Sequence, residues 1–199
     1  MLSDCKDRQA VHTGAFVFVV GPSGAGKDTV INSARTELAG NERFSFVRRG
    51  VTRPPGQWEA HDSLSPEEFT ADEKQGCFSL LWDAHGLRYG IPATVADEVR
   101  RGRIAICNGS RAAIASAKAV FPNFRLVLIT APREVRMSRL SARGRETDIQ
   151  GRLDRLEHQE LTNFPDLVIE NSSSIEISSQ ALVRFLLRLA ERDNCTPSV

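Results

Sequence analysis

The hydrophobic positions of this chain fall into short continuous runs that are separated by segments with helical spacing. The run Ala15–Val20 is wholly apolar and rich in β-branched residues, which is typical of a strand buried on both faces of a parallel sheet. We therefore expect this strand at the centre of the sheet. Shorter runs predict further strands at 44–47, 78–82, 104–107, 126–129 and 167–169.

Helical periodicity fills most of the intervals between these strands. One short helix is indicated by its start signals, because Ser65 can act as the N-cap, Pro66 suits the first turn and Glu68 completes a capping box. This helix is expected to end near Gln75. The remaining predicted helices cover 29–38, 94–101, 111–120, 133–142, 149–161 and 177–190.

The alternation of strands and helices predicts an α/β fold with a mainly parallel central sheet flanked by helices. A length of 199 residues suits one domain. We assign this domain to 14–193, with short tails at 1–13 and 194–199. The stretch 44–90 has fewer helices, so we interpret it as a small inserted lobe that binds the substrate.

Composition and charge exclude several classes of protein. The chain has 26 Lys and Arg residues against 25 Asp and Glu residues, so no overall charge favours binding to nucleic acid. No apolar run approaches the roughly 20 residues that a membrane-spanning helix needs. The polar start of the chain does not resemble a signal peptide, so we expect a cytoplasmic protein with reduced thiols, in which Cys107 is a core residue. The cysteines and histidines form no metal-binding motif.

A glycine-rich segment follows the first strand directly. It reads Gly21-Pro-Ser-Gly-Ala-Gly-Lys27 and precedes a helical pattern, which is the strand-loop-helix context of a phosphate-binding loop. Backbone N–H groups in such a loop converge on the β-phosphate of ATP, and Lys27 can reach the β- and γ-phosphates. A glycine-rich turn with a solvated lysine is the alternative. The predicted nucleotide-binding residues here are Gly21, Pro22, Ser23, Gly24, Ala25, Gly26, Lys27, Asp28 and Thr29.

Asp28 stands where such loops normally offer a Ser or Thr hydroxyl to Mg²⁺. A carboxylate is also a hard oxygen ligand, so Asp28 is the candidate metal ligand and Thr29 is a second choice. An acidic residue in the first turn of a helix is also stabilised by the helix dipole. Both interpretations can hold together.

Further motifs follow the phosphate loop in a recognisable order. They include Val51-Thr-Arg-Pro-Pro55, Glu59, Trp82-Asp-Ala-His-Gly-Leu-Arg-Tyr-Gly90 and Ala142-Arg-Gly-Arg-Glu146. At this spacing the chain resembles the guanylate kinase family over about 15–190. The resemblance implies a P-loop fold, use of ATP and Mg²⁺, and direct phosphoryl transfer with no covalent enzyme intermediate.

The resemblance also implies roles for individual residues. Arg53 and Tyr89 would bind a substrate phosphate, although a surface arginine and a core tyrosine remain the simpler interpretations. The segment at about 139–155 would form an arginine-rich lid. Arg139 and Arg152 would contact the transferring phosphoryl group, and Arg143 would contact the nucleotide. A charged, solvent-exposed helix face is the alternative interpretation of these arginines. Asn171 lies in a segment that resembles the loop lying against adenine.

Several positions depart from the guanylate kinase pattern. Leu80 and Ile91 replace two polar residues that read the guanine edge, and Asn108 replaces an aspartate. Gly56 stands where a second arginine is usual. Each lost partner would leave a buried polar group of guanine unmatched at a cost of about 1–3 kcal/mol. We therefore expect poor binding of GMP.

The strand predicted at 104–107 leads into Asn108-Gly-Ser-Arg111, at the end of the sheet where ligands of α/β folds bind. These groups suit sugar hydroxyls and phosphates, although the segment could also be a turn that caps the next helix. The chain is thus similar to the branch of guanylate kinase relatives that converts ribose 1,5-bisphosphate to 5-phosphoribosyl 1-diphosphate in phosphonate catabolism. The predicted substrate-binding residues are Arg53, Glu59, Arg88, Tyr89, Asn108, Ser110 and Arg111.

Two other functions remain open from the sequence. One is a nucleoside monophosphate kinase with an altered base site, and the other is a catalytically inactive interaction module. The intact loop from Gly21 to Lys27 argues against the module. We expect a small sugar phosphate as the partner, no nucleic acid, and a monomer or homodimer.

Overall fold

The computed structural model describes residues 14–54, 61–142 and 164–192. The strands of these ranges are β1 (Ala15–Val20), β2 (Phe44–Phe46), β3 (Arg49–Val51), β4 (His61–Ser63), β5 (Phe78–Ala84), β6 (Leu87–Pro92), β7 (Ile104–Asn108), β8 (Phe124–Thr130) and β9 (Leu167–Glu170). The helices are α1 (Lys27–Glu37), α2 (Pro66–Lys74), α3 (Thr94–Arg100), α4 (Ile114–Val120), α5 (Arg133–Ser141) and α6 (Ile175–Arg192).

Five strands form a parallel central sheet in the order β2-β7-β1-β8-β9. β1 is its middle strand and all six of its residues are buried, as the continuous apolar run predicts. Alternate residues of β1 face two layers. Val17 and Val19 pack with α1 and α6, whereas Phe16 and Phe18 pack with the second sheet and with α3 and α4.

The second sheet is mixed and has the order β4-β3-β6-β5. β5 and β6 form an antiparallel pair in which Trp82 lies opposite Tyr89 and Leu80 lies opposite Ile91. The rings of Trp82 and Tyr89 stack with their centroids 5.2 Å apart. All four side chains are buried on the face that contacts the central sheet, so the two sheets share one core.

The secondary structure agrees with the predicted pattern at most positions and differs at the start of the inserted lobe. β2 belongs to the central sheet, so the second sheet spans 49–92 and not 44–90. β3, β4 and β6 were not predicted, because two of them have only three residues and β6 contains glycine and proline. The predicted helix at 111–120 begins as a 3₁₀ turn at Arg111–Ala113. The predicted helix at 149–161 and both predicted tails lie outside the described residues. Residue 193, the last residue of the predicted domain, lies outside them as well.

The capping signals of α2 are confirmed. The Ser65 hydroxyl accepts a hydrogen bond of 3.1 Å from the Glu68 N–H, and the Glu68 carboxylate accepts one of 2.7 Å from the Ser65 N–H.

None of the helices described is long and apolar enough to cross a membrane.

The burial of β7 has a chemical consequence for Cys107. Complete burial raises the pKa of this thiol to about 12, and the nearby positive charge of Arg49 only partly opposes the effect. The thiolate is the reactive form, so we expect Cys107 to resist iodoacetamide at pH 8 until the protein unfolds. Cys77 is exposed and serves as the internal control. Peptide mapping that found equal modification of both residues in the folded protein would contradict this assignment.

Candidate active site

The loop between β1 and α1 has the backbone shape of a phosphate cradle. Gly24 and Gly26 adopt φ values of 80° and 85°, which side-chain-bearing residues rarely adopt. Gly26 also packs against the Asn171 side chain, so that an added Cβ would collide with the Asn171 amide nitrogen. These positions therefore require glycine, and the loop leads into the N-terminus of α1.

The ammonium group of Lys27 folds back into this loop. Its Nζ donates hydrogen bonds to the carbonyl oxygens of Gly21, at 2.8 Å, and Pro22, at 3.2 Å. Lys27 is therefore already placed at the loop, where an ammonium adds positive charge to the backbone N–H groups. An anion bound in the loop would compete with these carbonyl groups for the ammonium.

Two side chains from distant parts of the chain support the loop from outside. Asn171 follows β9 and its Nδ2 donates to the Ala25 carbonyl oxygen at 2.8 Å, while its Oδ1 accepts from Ser178 at 3.0 Å. Arg139 of α5 donates to the Asn171 carbonyl oxygen at 3.1 Å and lies 3.5 Å from the carbonyl oxygens of Gly24 and Ala25. These contacts hold the carbonyl groups of the loop in fixed directions.

The side chain of Asn171 is only 1% exposed. Asn171 therefore supports the phosphate loop from within the core. It would affect nucleotide binding through its hydrogen bond to the Ala25 carbonyl oxygen. The sequence pattern gave no signal for this contact, since the two residues are 146 positions apart.

The N-terminus of α1 meets the end of β7. Asn108 lies opposite Val19 in the parallel pair of β7 and β1, which brings its side chain to Asp28. The Asn108 Nδ2 donates to the Asp28 Oδ1 at 2.6 Å, and the Asn108 Oδ1 is a buried oxygen with no hydrogen-bond partner among the described residues. Thr29 is exposed on the outer side of this turn.

The segment after Asn108 starts a 3₁₀ turn at Arg111. Ser110 precedes this turn in an extended conformation and makes no side-chain capping bond, so the segment is not a side-chain-capped helix start. Burial lowers the pKa of the Arg111 guanidinium, and the positive charge of Arg136 lowers it further.

The second sheet carries three of the predicted substrate residues. Arg53 follows β3 by two residues, and Val51, the last residue of β3, pairs with Tyr89 of β6. The Tyr89 ring is 7% exposed and receives the Arg49 guanidinium at 5.4 Å from its centroid. Neither Arg49 nor Arg136 was predicted as a site residue.

Arg88 lies on the other face of the second sheet. Its guanidinium donates to the Glu73 carboxylate at 2.8 Å and covers the Phe69 ring at 4.6 Å from the centroid. Successive residues of a strand point to opposite faces, so Arg88 and Tyr89 are directed apart. Arg88 makes no side-chain contact with the predicted substrate residues that lie in the described ranges.

Three predicted site residues lie outside the described ranges. They are Glu59, Arg143 and Arg152, and most of the predicted lid at 139–155 is outside them as well. Within the described ranges, no group of three His, Cys, Asp or Glu side chains could hold a metal ion by itself.

The order of the strands around the phosphate loop, together with the mixed second sheet, defines a P-loop protein with a guanylate kinase-like fold. Comparison with solved structures agrees with this class. The chain is similar to the guanylate kinase from Anaplasma phagocytophilum, with a TM-score of 0.63 and 17% sequence identity over 89% of this chain and 87% of that chain. A sugar kinase from Janibacter sp. HTCC2649 gives a TM-score of 0.54 at 17% identity, covering 90% of this chain and 98% of that one.

The relatives in sequence are more specific. The chain is 43% identical over 176 residues to the ribose 1,5-bisphosphate phosphokinase PhnN of Rhizobium etli, covering 87% of this chain and 89% of that protein. It is 42% identical over 177 residues to the bifunctional ribose 1,5-bisphosphokinase-thymidine phosphorylase of Cupriavidus necator, of which it spans 29%. No protein-family model matches. The chain belongs to the ribose 1,5-bisphosphate phosphokinase family.

The support of the loop by Asn171 can be tested directly. Replacement of Asn171 by Ala leaves the Ala25 carbonyl without this donor, so we expect ATP to bind at least about fivefold more weakly, since an unmade buried bond costs about 1–3 kcal/mol. Isothermal titration calorimetry measures the change.

Asn123→Ala is the matched control. The Asn123 amide also donates to a backbone carbonyl, that of Gly14 at 2.7 Å, but it lies at the opposite end of β1 from the loop. This variant should keep the ATP affinity of the natural protein. An equal loss of affinity in both variants would show a general effect on stability and contradict the specific role of Asn171.

Proposed function

We propose that this chain transfers the γ-phosphoryl group of ATP to ribose 1,5-bisphosphate and forms 5-phosphoribosyl 1-diphosphate. Family membership supports the choice of reaction. One observation in the structure supports the choice of acceptor over GMP: Leu80 and Ile91 lie opposite each other in β5 and β6 and are buried at 4% and 0% exposure.

The pair of Leu80 and Ile91 forms a closed apolar surface with Trp82 and Tyr89. In the guanylate kinase pattern, these two positions carry the polar groups that read guanine. A guanine edge placed against this surface would lose its hydrogen bonds to water and gain none in return. A sugar bisphosphate has no base, so the same surface imposes no such loss.

The nucleotide would bind at the loop between β1 and α1. Backbone N–H groups and the Lys27 ammonium supply the positive charge that its phosphates need. Arg139 lies beside the same loop, in contact with the Asn171 carbonyl oxygen. This arrangement concentrates positive charge at the point where the transferred group leaves ADP.

The residues around Asp28 fit a magnesium ion that is held jointly with the nucleotide. Mg²⁺ prefers oxygen ligands and keeps several waters. The Asp28 carboxylate is bonded to the Asn108 amide, whose buried side-chain oxygen has no hydrogen-bond partner in the part of the chain that the structure describes. When bound there with ATP, Mg²⁺ would neutralise charge on the phosphates. Asp28 and Asn108 would hold it from the protein side.

The chemistry needs no strong base from the protein. An oxygen of the acceptor phosphate is already anionic, so it can form the new bond to the γ-phosphorus as the bond to the β,γ-bridging oxygen breaks and its electron pair leaves with ADP. The described residues accordingly serve to position and neutralise charge. Since ATP is the donor, we propose that the protein works in the cytoplasm.

A rival function is phosphorylation of a nucleoside monophosphate. Release of ADP, followed in a coupled assay with Mg-ATP, should be fast with ribose 1,5-bisphosphate and at least about 30-fold slower with GMP, because two or more unmatched polar groups of guanine cost about 1–3 kcal/mol each. Faster release of ADP with GMP would overturn the proposal.

Lys27→Ala provides the control that assigns this turnover to the loop. The variant should melt near the temperature of the natural protein and lose turnover by about 100-fold or more, because Lys27 supplies charge to the transferring group. A folded variant with full turnover would remove the loop from the reaction, and release of ADP without any acceptor would indicate hydrolysis.

A further inference from the structure

Arg49 is a buried arginine in the second sheet. It lies on β3 and is 5% exposed. Val51 pairs with Tyr89, and continuing this antiparallel register by two residues places Arg49 at the level of Ile91. Alternate residues of a strand share a face, so Arg49 lies on the same face as Val51, which packs in the core that the two sheets share.

This position adds Arg49 to the row of residues that would read a base in the guanylate kinase pattern. Leu80 and Ile91 lie opposite each other across β5 and β6, and Arg49 extends their row onto β3. The neighbouring row contains Tyr89 and Trp82, and Tyr89 is the tyrosine predicted to bind a substrate phosphate. Because a nucleoside monophosphate has a single phosphate, the Tyr89 row marks the phosphate that accepts the phosphoryl group.

The side chain of Arg49 reaches across to this neighbouring row. Its guanidinium carbon is 5.4 Å from the centroid of the Tyr89 ring. A guanidinium that packs against a ring can still donate from its N–H groups to a ligand. Trp82 stacks on Tyr89 at 5.2 Å, and its Nε1 is a buried donor with no hydrogen-bond partner among the described residues. Donors of both kinds match the oxygen atoms of a sugar phosphate.

The face that carries Arg49 meets the central sheet beside the phosphate loop. Cys107 of β7 packs in the same buried cluster as Tyr89, and the positive charge of Arg49 partly opposes the rise in the pKa of its thiol. Cys107 directly precedes Asn108, which is bonded to Asp28 at the start of α1. Arg49 is therefore close to the end of the strand that leads to the predicted acceptor residues.

We propose that Arg49 binds the second phosphate of the acceptor, the one that is not phosphorylated, and so selects a sugar bisphosphate. The inference rests on the proposed function and adds the residue that recognises the C5 phosphate. Arg49 lies one row beyond Tyr89, where a nucleotide would place its base. A guanidinium only donates hydrogen bonds, so it matches a phosphate and offers no acceptor to the N–H groups of guanine.

The test compares ribose 1,5-bisphosphate with ribose 1-phosphate, which lacks the C5 phosphate. Isothermal titration calorimetry on the full chain measures the affinity for each sugar. Arg49→Met should weaken binding of the bisphosphate by about tenfold or more, since charge-assisted hydrogen bonds are among the stronger ones, and should leave the affinity for ribose 1-phosphate within about twofold. Arg49→Lys keeps the charge but loses the planar fork, so its affinity for the bisphosphate should lie between.

Arg48→Met is the matched control. Arg48 precedes β3, and its exposed guanidinium pairs with the Asp62 carboxylate at 2.8 Å. This variant loses the same charge one residue away and should bind both sugars as the natural protein does. Equal losses for the bisphosphate in Arg48→Met and Arg49→Met would show a general effect of charge and overturn the inference.

The two sugars separate recognition of the C5 phosphate from a structural role. Arg49→Met protein that binds both sugars equally more weakly, or that binds the bisphosphate normally, would overturn the inference. If Arg49→Met does not fold, the ratio of the two sugar affinities in Arg49→Lys decides. A ratio about threefold or more below that of the natural protein supports the inference, and an unchanged ratio overturns it.

The proposed function and this inference fail in different ways. A natural protein that binds no ribose 1,5-bisphosphate would overturn the proposed function and the inference that rests on it. A natural protein that phosphorylates this sugar, with Arg49 variants that keep its preference for the bisphosphate, would overturn only the inference.

Discussion

The hydrogen bond from Asn171 to the Ala25 carbonyl oxygen is the constraint on which the site depends. A phosphate loop binds anions only while its N–H groups point inward, and this requires its carbonyl groups to be held elsewhere. Asn171 occupies one of these carbonyls, and Ser178 of α6 fixes the orientation of the Asn171 side chain in turn. Helix α6 is thereby connected, through Asn171, to the loop between β1 and α1.

Positive charge is the second organising feature, and it is gathered by the central sheet. β1 carries the loop, β7 leads to Arg111, and β8 leads to α5 with Arg136 and Arg139. Because parallel strands end at the same edge, the segments that carry these cations all follow the same edge of the central sheet. The second sheet meanwhile covers this region with the apolar pair Leu80 and Ile91.

Those parts of the molecule that depend on local pattern could be predicted from the sequence. The buried run of β1, the loop that follows it and the capping box of Ser65 each carry a strong local signal. The strand and the capping box are confirmed, and the loop leads from β1 into α1 where the pattern predicts. The short strands β3 and β4 carry no such signal. The support of Ala25 by Asn171 could not be predicted, because it depends on how the fold brings the end of the edge strand β9 to the loop that follows the middle strand β1. Arg136 had a signal in its spacing from Arg139, but the burial that distinguishes it appears only in the fold.

We propose that this site recognises a sugar through its phosphates and transfers a phosphoryl group to one of them. Phosphorus NMR of a reaction with Mg-ATP and ribose 1,5-bisphosphate identifies which phosphate is modified. We expect the C1 phosphate resonance to be replaced by two coupled diphosphate resonances while the C5 monoester is unchanged. A diphosphate at C5, or no transfer to the sugar, would overturn the proposed reaction.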